Sequence, residues 1–179
     1  SLFMSTYGLF TNIYSRYNIQ VKLVDPLDPE KIEAAINERT RFVYIETITN
    51  PGMEIADIQT IADIAHRSGV PLLVDNTLAS PWLCRPIELG ADIILHSTTK
   101  YFSGHGAALG GVVVDAGNFD WETERFKDFA PFVAQKGEVA FLHRMWKEYH
   151  VNFGTTPAPF HSFLTAIGLT TMGVRMDRH

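Results

Sequence analysis

Short apolar runs alternate with amphipathic segments through the middle of the chain, which is the pattern of βαβ units around a mainly parallel sheet. The predicted strands are residues 19–24, 42–45, 71–74, 93–95 and 110–114. The last three are so continuously apolar that neither of their faces is expected to meet water. The pattern therefore predicts an α/β fold with a mainly parallel sheet covered by helices on both faces.

Helices are predicted between and after these strands. Asp28 has the residue type of an N-cap and is followed by a proline that can open a helix. Residues 54–69 carry apolar positions at helical spacing before a Ser-Gly stop. Residues 139–149 and 160–175 also have helical patterns. Residues 118–136 are aromatic and charged without a clear period, so they are predicted to form an irregular surface excursion that acts as a lid or subunit contact.

Composition and charge narrow the class of protein. A hydrophobic content of 46% is typical of a globular chain, and the net charge of -5 without basic clusters argues against a nucleic-acid partner. Cys84 is the single cysteine, so it has no internal disulfide partner and fits a reducing compartment, which makes cytoplasm the expected location. No apolar stretch approaches the roughly 20 residues that span a bilayer, so no membrane partner is expected.

Both ends of the chain look like cuts through a longer protein. Ser1 stands close to an apparent helix, and Arg178 and His179 directly follow a helical segment. No Gly, Asn or Pro supplies the usual helix stop there. Residues are therefore expected to be missing on each side.

A carboxylate follows one of the predicted strands. In doubly wound sheets, ligands bind at the carboxyl ends of strands. Asp75 comes directly after the apolar run 72–74, where its charge would be desolvated unless a cation or a donor met it. A protonated pyridine nitrogen is one such partner. The alternative is an aspartate that caps a turn after a strand.

The run Ser97-Thr98-Thr99-Lys100 places three hydroxyls and an amine beyond the next strand, and four glycines follow between residues 104 and 111. Hydroxyls and free amides suit a phosphate, and an amine forms an imine with an aldehyde when its site keeps it nucleophilic. Pyridoxal phosphate carries both groups. A surface lysine after a Ser/Thr loop is the alternative. A P-loop is excluded, because its glycines precede the lysine.

Two further residues suit a cofactor ring. Asn50 has an amide that can donate to a phenolate oxygen, although Asn-Pro is equally a turn signal. Phe3 has a flat apolar face for stacking, although phenylalanines mostly fill cores. The seven histidines lack metal-binding spacings, so no metal site is predicted. No Gly-x-Ser-x-Gly elbow supports a serine hydrolase.

Taken together, longer runs carry a family resemblance. They include VDNT at 74–77, PWLCRPIELGAD at 81–92, HSTTKY at 96–101 and SGHG at 103–106. These runs resemble the cysteine/methionine-metabolism family of pyridoxal-phosphate enzymes, which includes cystathionine synthases and lyases, methionine gamma-lyase and O-acetylhomoserine sulfhydrylase. The resemblance spans nearly the whole chain. It implies the aspartate aminotransferase-like, type I fold, with residues 1–179 in the large, cofactor-binding domain.

The resemblance also implies site residues by position. Lys100 corresponds to the Schiff-base lysine, which also moves protons at the substrate alpha carbon. Asp75 corresponds to the partner of the pyridine nitrogen, whose positive charge makes the ring an electron sink. Ser97 and Thr99 match phosphate ligands. Asn50 matches the amide beside the ring hydroxyl.

The stacking position departs from the family pattern. Family members commonly have Leu-Tyr-Gly where this chain has Leu2, Phe3 and Met4. A phenyl ring still stacks on a cofactor, but it cannot donate a proton to a leaving group, a role often assigned to the tyrosine. Ser5 replaces the cysteine typical of methionine gamma-lyases, and residues 117–121 look more like the sulfhydrylase branch.

The resemblance therefore implies gamma-replacement on O-acetyl-L-homoserine with sulfide or methanethiol. The alternatives are gamma-elimination from methionine or cystathionine, and a truncated, non-catalytic fragment that retains the fold. Family members also have an amino-terminal arm and a carboxyl-terminal domain that these 179 residues do not contain. We expect an incomplete pyridoxal-phosphate domain, a small amino acid as substrate, and a homotetramer built from dimers in the full-length protein.

Overall fold

The computed structural model describes all residues from 1 to 179 and contains one four-stranded sheet. Its strands are β1 Val43–Glu46, β2 Leu72–Asp75, β3 Ile93–Ser97 and β4 Gly111–Asp115, in the order β1-β2-β3-β4. The first three strands are parallel, and β4 is antiparallel to β3. The prediction of a mainly parallel sheet is therefore confirmed, and each of these strands overlaps a predicted one.

Nine α-helical segments surround the sheet. They are α1 Met4–Gly8, α2 Pro29–Ala35, α3 Ile58–Arg67, α4 Ser80–Leu83, α5 Ala130–Lys136, α6 Ala140–Arg144, α7 Val151–Phe153, α8 Pro159–Leu169 and α9 Met172–Arg178. Asp28 caps α2 as predicted, since its Oδ1 accepts from the Lys31 N–H at 3.1 Å. Asp57 caps α3 in the same way, which starts that helix later than predicted.

Short 3-10 and π-helical turns connect or extend these helices. They are Leu9–Ile13, Tyr14–Tyr17, Pro86–Leu89, Glu124–Phe129, Gly137–Val139 and Met145–His150. No helix of the structure combines the length and the apolar character that crossing a membrane requires.

Alternate residues of the central strands point to opposite sides of the sheet. On one side, Ile45, Leu72, Val74 and Ile94 pack with apolar residues of α3 such as Ile61 in the largest buried cluster. We call this side the core face. Because these side chains are shielded from water, the core face supplies most of the apolar burial that stabilises the chain.

The opposite side, which we call the site face, changes character along the strands. Near the amino ends of β2 and β3, Leu73 and Ile93 pack with Trp121 and Phe126. Near the carboxyl ends, the same side carries polar residues. On the site face, aromatic residues therefore cover the amino ends of β2 and β3, while polar side chains occupy the carboxyl ends.

Residues 118–136 are more regular than their sequence predicts. They contain a 3-10 helix, Glu124–Phe129, and the helix α5, and their aromatic residues pack inward. The Trp121 ring stacks on Phe129 with centroids 4.5 Å apart. The absence of a period reflects side chains that reach the sheet from turns and short helices. The prediction of irregular structure is therefore wrong from Glu124 onwards, whereas the predicted surface location is confirmed, since most of these residues are exposed. The role as a lid or subunit contact stays a prediction.

Two other predictions differ from the structure. Residues 19–24 form no strand, and Ile19 is exposed, because no neighbouring strand pairs with their backbone. The predicted helix over 160–175 is two helices, α8 and α9, which are separated at Thr170 and Thr171.

Candidate active site

Asp75 ends β2 on the site face, and three donors orient its carboxylate. Oδ1 accepts from the Thr77 N–H at 2.9 Å and from the Thr77 hydroxyl at 2.5 Å. Oδ2 accepts from the Tyr44 hydroxyl at 3.3 Å. The first oxygen is thus held firmly, while the second has a single long contact. A half-buried carboxylate in this arrangement can still accept from a bound group.

A hydrogen-bond path joins Asp75 to the segment that carries Lys100. The Thr77 hydroxyl, which donates to Asp75, accepts from the Ser97 N–H at 2.8 Å. The Lys100 N–H then donates to the Ser97 carbonyl at 3.3 Å. The strand register agrees, since Asp75 and Leu95 are Cα partners across β2 and β3. The structure therefore places the Asp75 carboxylate and the backbone of Lys100, both singled out in the sequence, at the carboxyl ends of neighbouring strands.

The backbone around Lys100 is tied down, whereas its side chain is exposed and makes no hydrogen bond or ion pair. The Lys100 carbonyl accepts from the Gly104 N–H at 2.8 Å, and the Ser103 hydroxyl donates to the Thr99 carbonyl at 3.0 Å. Gly168 of α8 lies directly against the Ser103 carbonyl, where a Cβ would clash. The Lys100 amine is therefore unpaired, while hydrogen bonds fix the backbone turn that carries it.

The two predicted phosphate ligands differ in their surroundings. The Ser97 hydroxyl has no hydrogen-bond partner within the chain. The Thr99 hydroxyl accepts from the Gly110 N–H at 3.1 Å and donates to the Gly110 carbonyl at 3.3 Å. Ser97 therefore has full capacity for an anion, while Thr99 also ties the lysine turn to the residue before β4.

Hydrogen bonds to Glu46, the last residue of β1, hold Asn50 and Phe3 near the carboxyl end of that strand. The Phe3 N–H donates to Glu46 Oε1 at 2.8 Å, and the Asn50 N–H donates to Glu46 Oε2 at 3.0 Å. Glu46 is the Cα partner of Asp75. Burial raises the pKa of Glu46, and the two N–H donors oppose that shift. All the predicted site residues therefore lie near the carboxyl ends of β1, β2 and β3.

The entire chain, residues 1–179, matches the model of the family described as Cys/Met metabolism PLP-dependent enzyme, where PLP is pyridoxal 5'-phosphate. The chain belongs to this family. Both the predicted resemblance and the predicted cofactor are thereby confirmed.

Known proteins of the family align along nearly the whole chain. Homocysteine synthase of Schizosaccharomyces pombe is 40% identical over 99% of this chain and 44% of its own length. L-methionine gamma-lyase of Porphyromonas gingivalis is 38% identical over 100% of this chain and 40% of its own length. The chain thus spans less than half the length of these curated relatives.

Solved structures agree with the type I fold. O-acetylhomoserine sulfhydrylase of Wolinella succinogenes superposes with a TM-score of 0.88 at 36% identity, over 97% of this chain and 49% of that one. A protein from Campylobacter jejuni, described as a putative O-acetylhomoserine (thiol)-lyase, superposes with a TM-score of 0.89 at 28% identity. The match covers 97% of this chain and 45% of that one, and that structure contains N'-pyridoxyl-lysine-5'-monophosphate.

The residues of this chain fit the family cofactor. Asp75 offers a carboxylate oxygen, Oδ2, that accepts only one long hydrogen bond. Lys100 offers an unpaired amine, and Ser97 offers a hydroxyl without a partner in the chain. These are the groups that a pyridine nitrogen, an aldehyde and a phosphate require.

Two contributors to this site received no role from the sequence alone. Thr77 links Asp75 to Ser97, a role that its place two residues after an aspartate could have indicated. Tyr44 donates to Asp75, and burial together with the charges of Asp75 and Glu46 raises the pKa of its phenol. Tyr44 is therefore neutral at physiological pH. The two-residue period of β1 would have placed it beside Glu46 on the site face.

Proposed function

We propose that this protein catalyses a pyridoxal-phosphate-dependent gamma-replacement on O-acetyl-L-homoserine. The Cγ–O bond breaks and acetate leaves, while sulfide or methanethiol forms the new Cγ–S bond. With hydrogen sulfide, the products are homocysteine and acetic acid. The observation that carries the proposal is the hydrogen-bond path from the Asp75 carboxylate through Thr77 to Ser97 and the backbone of Lys100, at the carboxyl ends of β2 and β3.

Bound pyridoxal phosphate supplies an aldehyde that captures amino groups and a cationic ring that withdraws electrons. Asp75, fixed by Thr77, holds a proton on the ring nitrogen. The Lys100 amine tethers the cofactor and then removes and returns protons at the substrate alpha and beta carbons. The unpaired Ser97 hydroxyl donates to the phosphate.

Asn50 and Phe3 position the ring in this proposal. The Asn50 side-chain amide donates to the ring hydroxyl oxygen, and the Phe3 ring stacks against the cofactor. Thr99 adds a phosphate contact through its hydroxyl while keeping its bonds to Gly110.

The phenyl ring of Phe3 also favours a substrate with a weakly basic leaving group. Acetate leaves as a weakly basic carboxylate and needs no proton, whereas a departing thiolate is far more basic. Since Phe3 has no hydroxyl to protonate a leaving group, O-acetylhomoserine suits this site better than methionine. The sulfhydrylase and homocysteine synthase relatives, at 35 to 40% identity, support the same choice.

Gamma-elimination is the second candidate, because an L-methionine gamma-lyase is 38% identical to this chain. The full-length protein, loaded with pyridoxal phosphate, separates the two in parallel assays. We expect acetate release from O-acetyl-L-homoserine with sulfide to be faster than release of alpha-ketobutyrate from methionine. The opposite ranking would reject the sulfhydrylase assignment.

A labelling experiment tests Lys100 directly. Borohydride reduction of the loaded protein should fix the cofactor mass on the peptide that contains Lys100, and Lys100→Ala should lose that mass. An unmodified peptide from fully loaded protein would instead support a non-catalytic fragment that retains the fold. This readout requires no turnover, so it is independent of which reaction the protein catalyses.

The proposal includes a homo-oligomer in the cytoplasm. Several apolar side chains are exposed on the helices near the carboxyl end, including Phe153, Phe160 and Val174, and such surfaces are typical of subunit contacts. Cys84 has no disulfide partner in the chain, which fits a reducing compartment. Sedimentation of the full-length protein should give a tetramer, and a monomer at micromolar concentration would contradict the assembly.

A further inference from the structure

Glu46 is a buried carboxylate to which the proposed chemistry gives no role. Its residue is 5% exposed, and it stands next to Asp75 at the carboxyl end of the sheet. Burying one charge beside another of the same sign is unfavourable unless hydrogen bonds compensate. The hydrogen bonds of Glu46 indicate the structural role of its side chain.

Each oxygen of Glu46 accepts from a different part of the chain. Oε1 accepts from the Phe3 N–H at 2.8 Å, and Oε2 accepts from the Asn50 N–H at 3.0 Å. Phe3 directly precedes α1, while Asn50 lies in the loop after β1. A second contact joins the same two segments, since the Gly52 N–H donates to the Ser1 hydroxyl at 3.0 Å. Glu46 therefore connects two segments that the strand alone would leave independent.

We propose that Glu46 is a positioning residue that fixes where the Phe3 ring and the Asn50 amide lie relative to Asp75. The inference rests on the cofactor-contacting roles given to Phe3 and Asn50 in the proposed function. A carboxylate suits this task because both of its oxygens accept, whereas a glutamine side chain pairs one acceptor with an NH₂ donor. Aspartate would be one methylene too short to keep both bonds at these distances.

Amide-resolved hydrogen exchange of the cofactor-free, full-length protein tests the positioning role. In Glu46→Gln we expect the protection of the Phe3 and Asn50 amides to fall about tenfold or more, because each bond to a charged acceptor is lost or weakened. The control Ile45→Val lies on the same strand but points to the core face. It should leave these two amides close to wild type after correction for global stability.

Unchanged protection of both amides in Glu46→Gln, or an equal loss in Ile45→Val, would overturn the proposal. Glu46→Asp provides a second variant if the glutamine protein fails to fold. It keeps the charge, and it should still lose protection at one or both amides.

The loaded enzyme gives a separate readout. Glu46→Gln should alter the visible circular dichroism of the bound cofactor and weaken its binding about tenfold, while borohydride still labels Lys100. Retention of the wild-type spectrum and affinity would count against Glu46 as a positioning residue. If the wild-type protein releases no acetate, the reaction assignment fails, but the exchange result on the apoprotein still decides the role of Glu46.

Discussion

The two faces of the sheet use the same strands for different purposes. On the core face, Ile45 and Val74 are buried among apolar side chains of α3. Their immediate neighbours Glu46 and Asp75 point to the site face and carry hydrogen-bonded carboxylates. Adjacent residues of one strand therefore lie on opposite faces, so that one stabilises the core and the next contributes a carboxylate to the candidate site.

This difference means that stability and chemistry can be altered separately. The core face gains its free energy from apolar burial, which is insensitive to the charge of the site. The site face places charged groups where their partners are few and specific, as at Asp75. Substitutions on the core face should change the free energy of unfolding, while those on the site face should change cofactor binding and turnover.

The largest expected effect is on the core face, at Ile61 of α3, which is 0% exposed. Ile61→Ala should lower the free energy of unfolding by about 2 to 5 kcal/mol, because it removes apolar contacts and leaves a cavity. Denaturant unfolding measures this change. Asp63→Ala, on the exposed side of the same helix, is the control and should stay within about 0.5 kcal/mol of wild type. Equal losses in both variants would contradict the assigned core.

On the site face, Asp75→Asn should lower kcat about 100-fold with little change in thermal stability. In the proposed function, the substitution removes the negative charge that would keep the ring nitrogen protonated, while the Thr77 contacts can remain. Steady-state kinetics and a melting curve measure the two quantities. Asp115→Asn at the end of β4 makes the same chemical change near the other edge of the sheet and should leave kcat within twofold. A comparable fall in kcat for Asp115→Asn would show that the loss of any nearby carboxylate charge lowers turnover, whatever its position.

The smallest effect should come from Tyr44→Phe, which removes only the hydroxyl that donates to Asp75. The loss of one long hydrogen bond should cost about 0.5 to 1.5 kcal/mol of stability and change kcat only a few-fold. Denaturant unfolding and steady-state kinetics measure both quantities. A loss of activity comparable to Asp75→Asn would assign Tyr44 a direct chemical role instead.

The same variant makes a pH prediction with a definite sign. Because the folded-state pKa of Tyr44 is raised, unfolding favours ionisation of its phenol once the pH passes the unfolded value near 10. Wild-type protein should therefore lose stability above about pH 10 more steeply than Tyr44→Phe. Urea unfolding at pH 8 and pH 10.5 measures the difference. An equal change in the free energy of unfolding between the two pH values in both proteins would show that folding does not raise the pKa of Tyr44.

Some features were predictable because their causes are local. Asp28 before a proline specifies a helix start by its own chemistry, and α2 begins there. The apolar run before Asp75 specified a buried strand and the carboxylate at its end. Residues 118–136 escaped prediction because their order comes from packing between rings and the sheet, as in the stack of Trp121 on Phe129. Residues 19–24 were mispredicted as a strand because composition cannot supply a partner strand.

The sequence by itself determined the α/β class, the family and the candidate site residues, since local periodicity and the run around Lys100 depend only on order along the chain. Only the tertiary structure decided how those residues are held. The Thr77 bridge joins two strands, and Glu46 accepts a hydrogen bond from Phe3, 43 residues away. Such contacts depend on strand register and on which side chains share a face, and these are settled only when distant parts of the chain pack together.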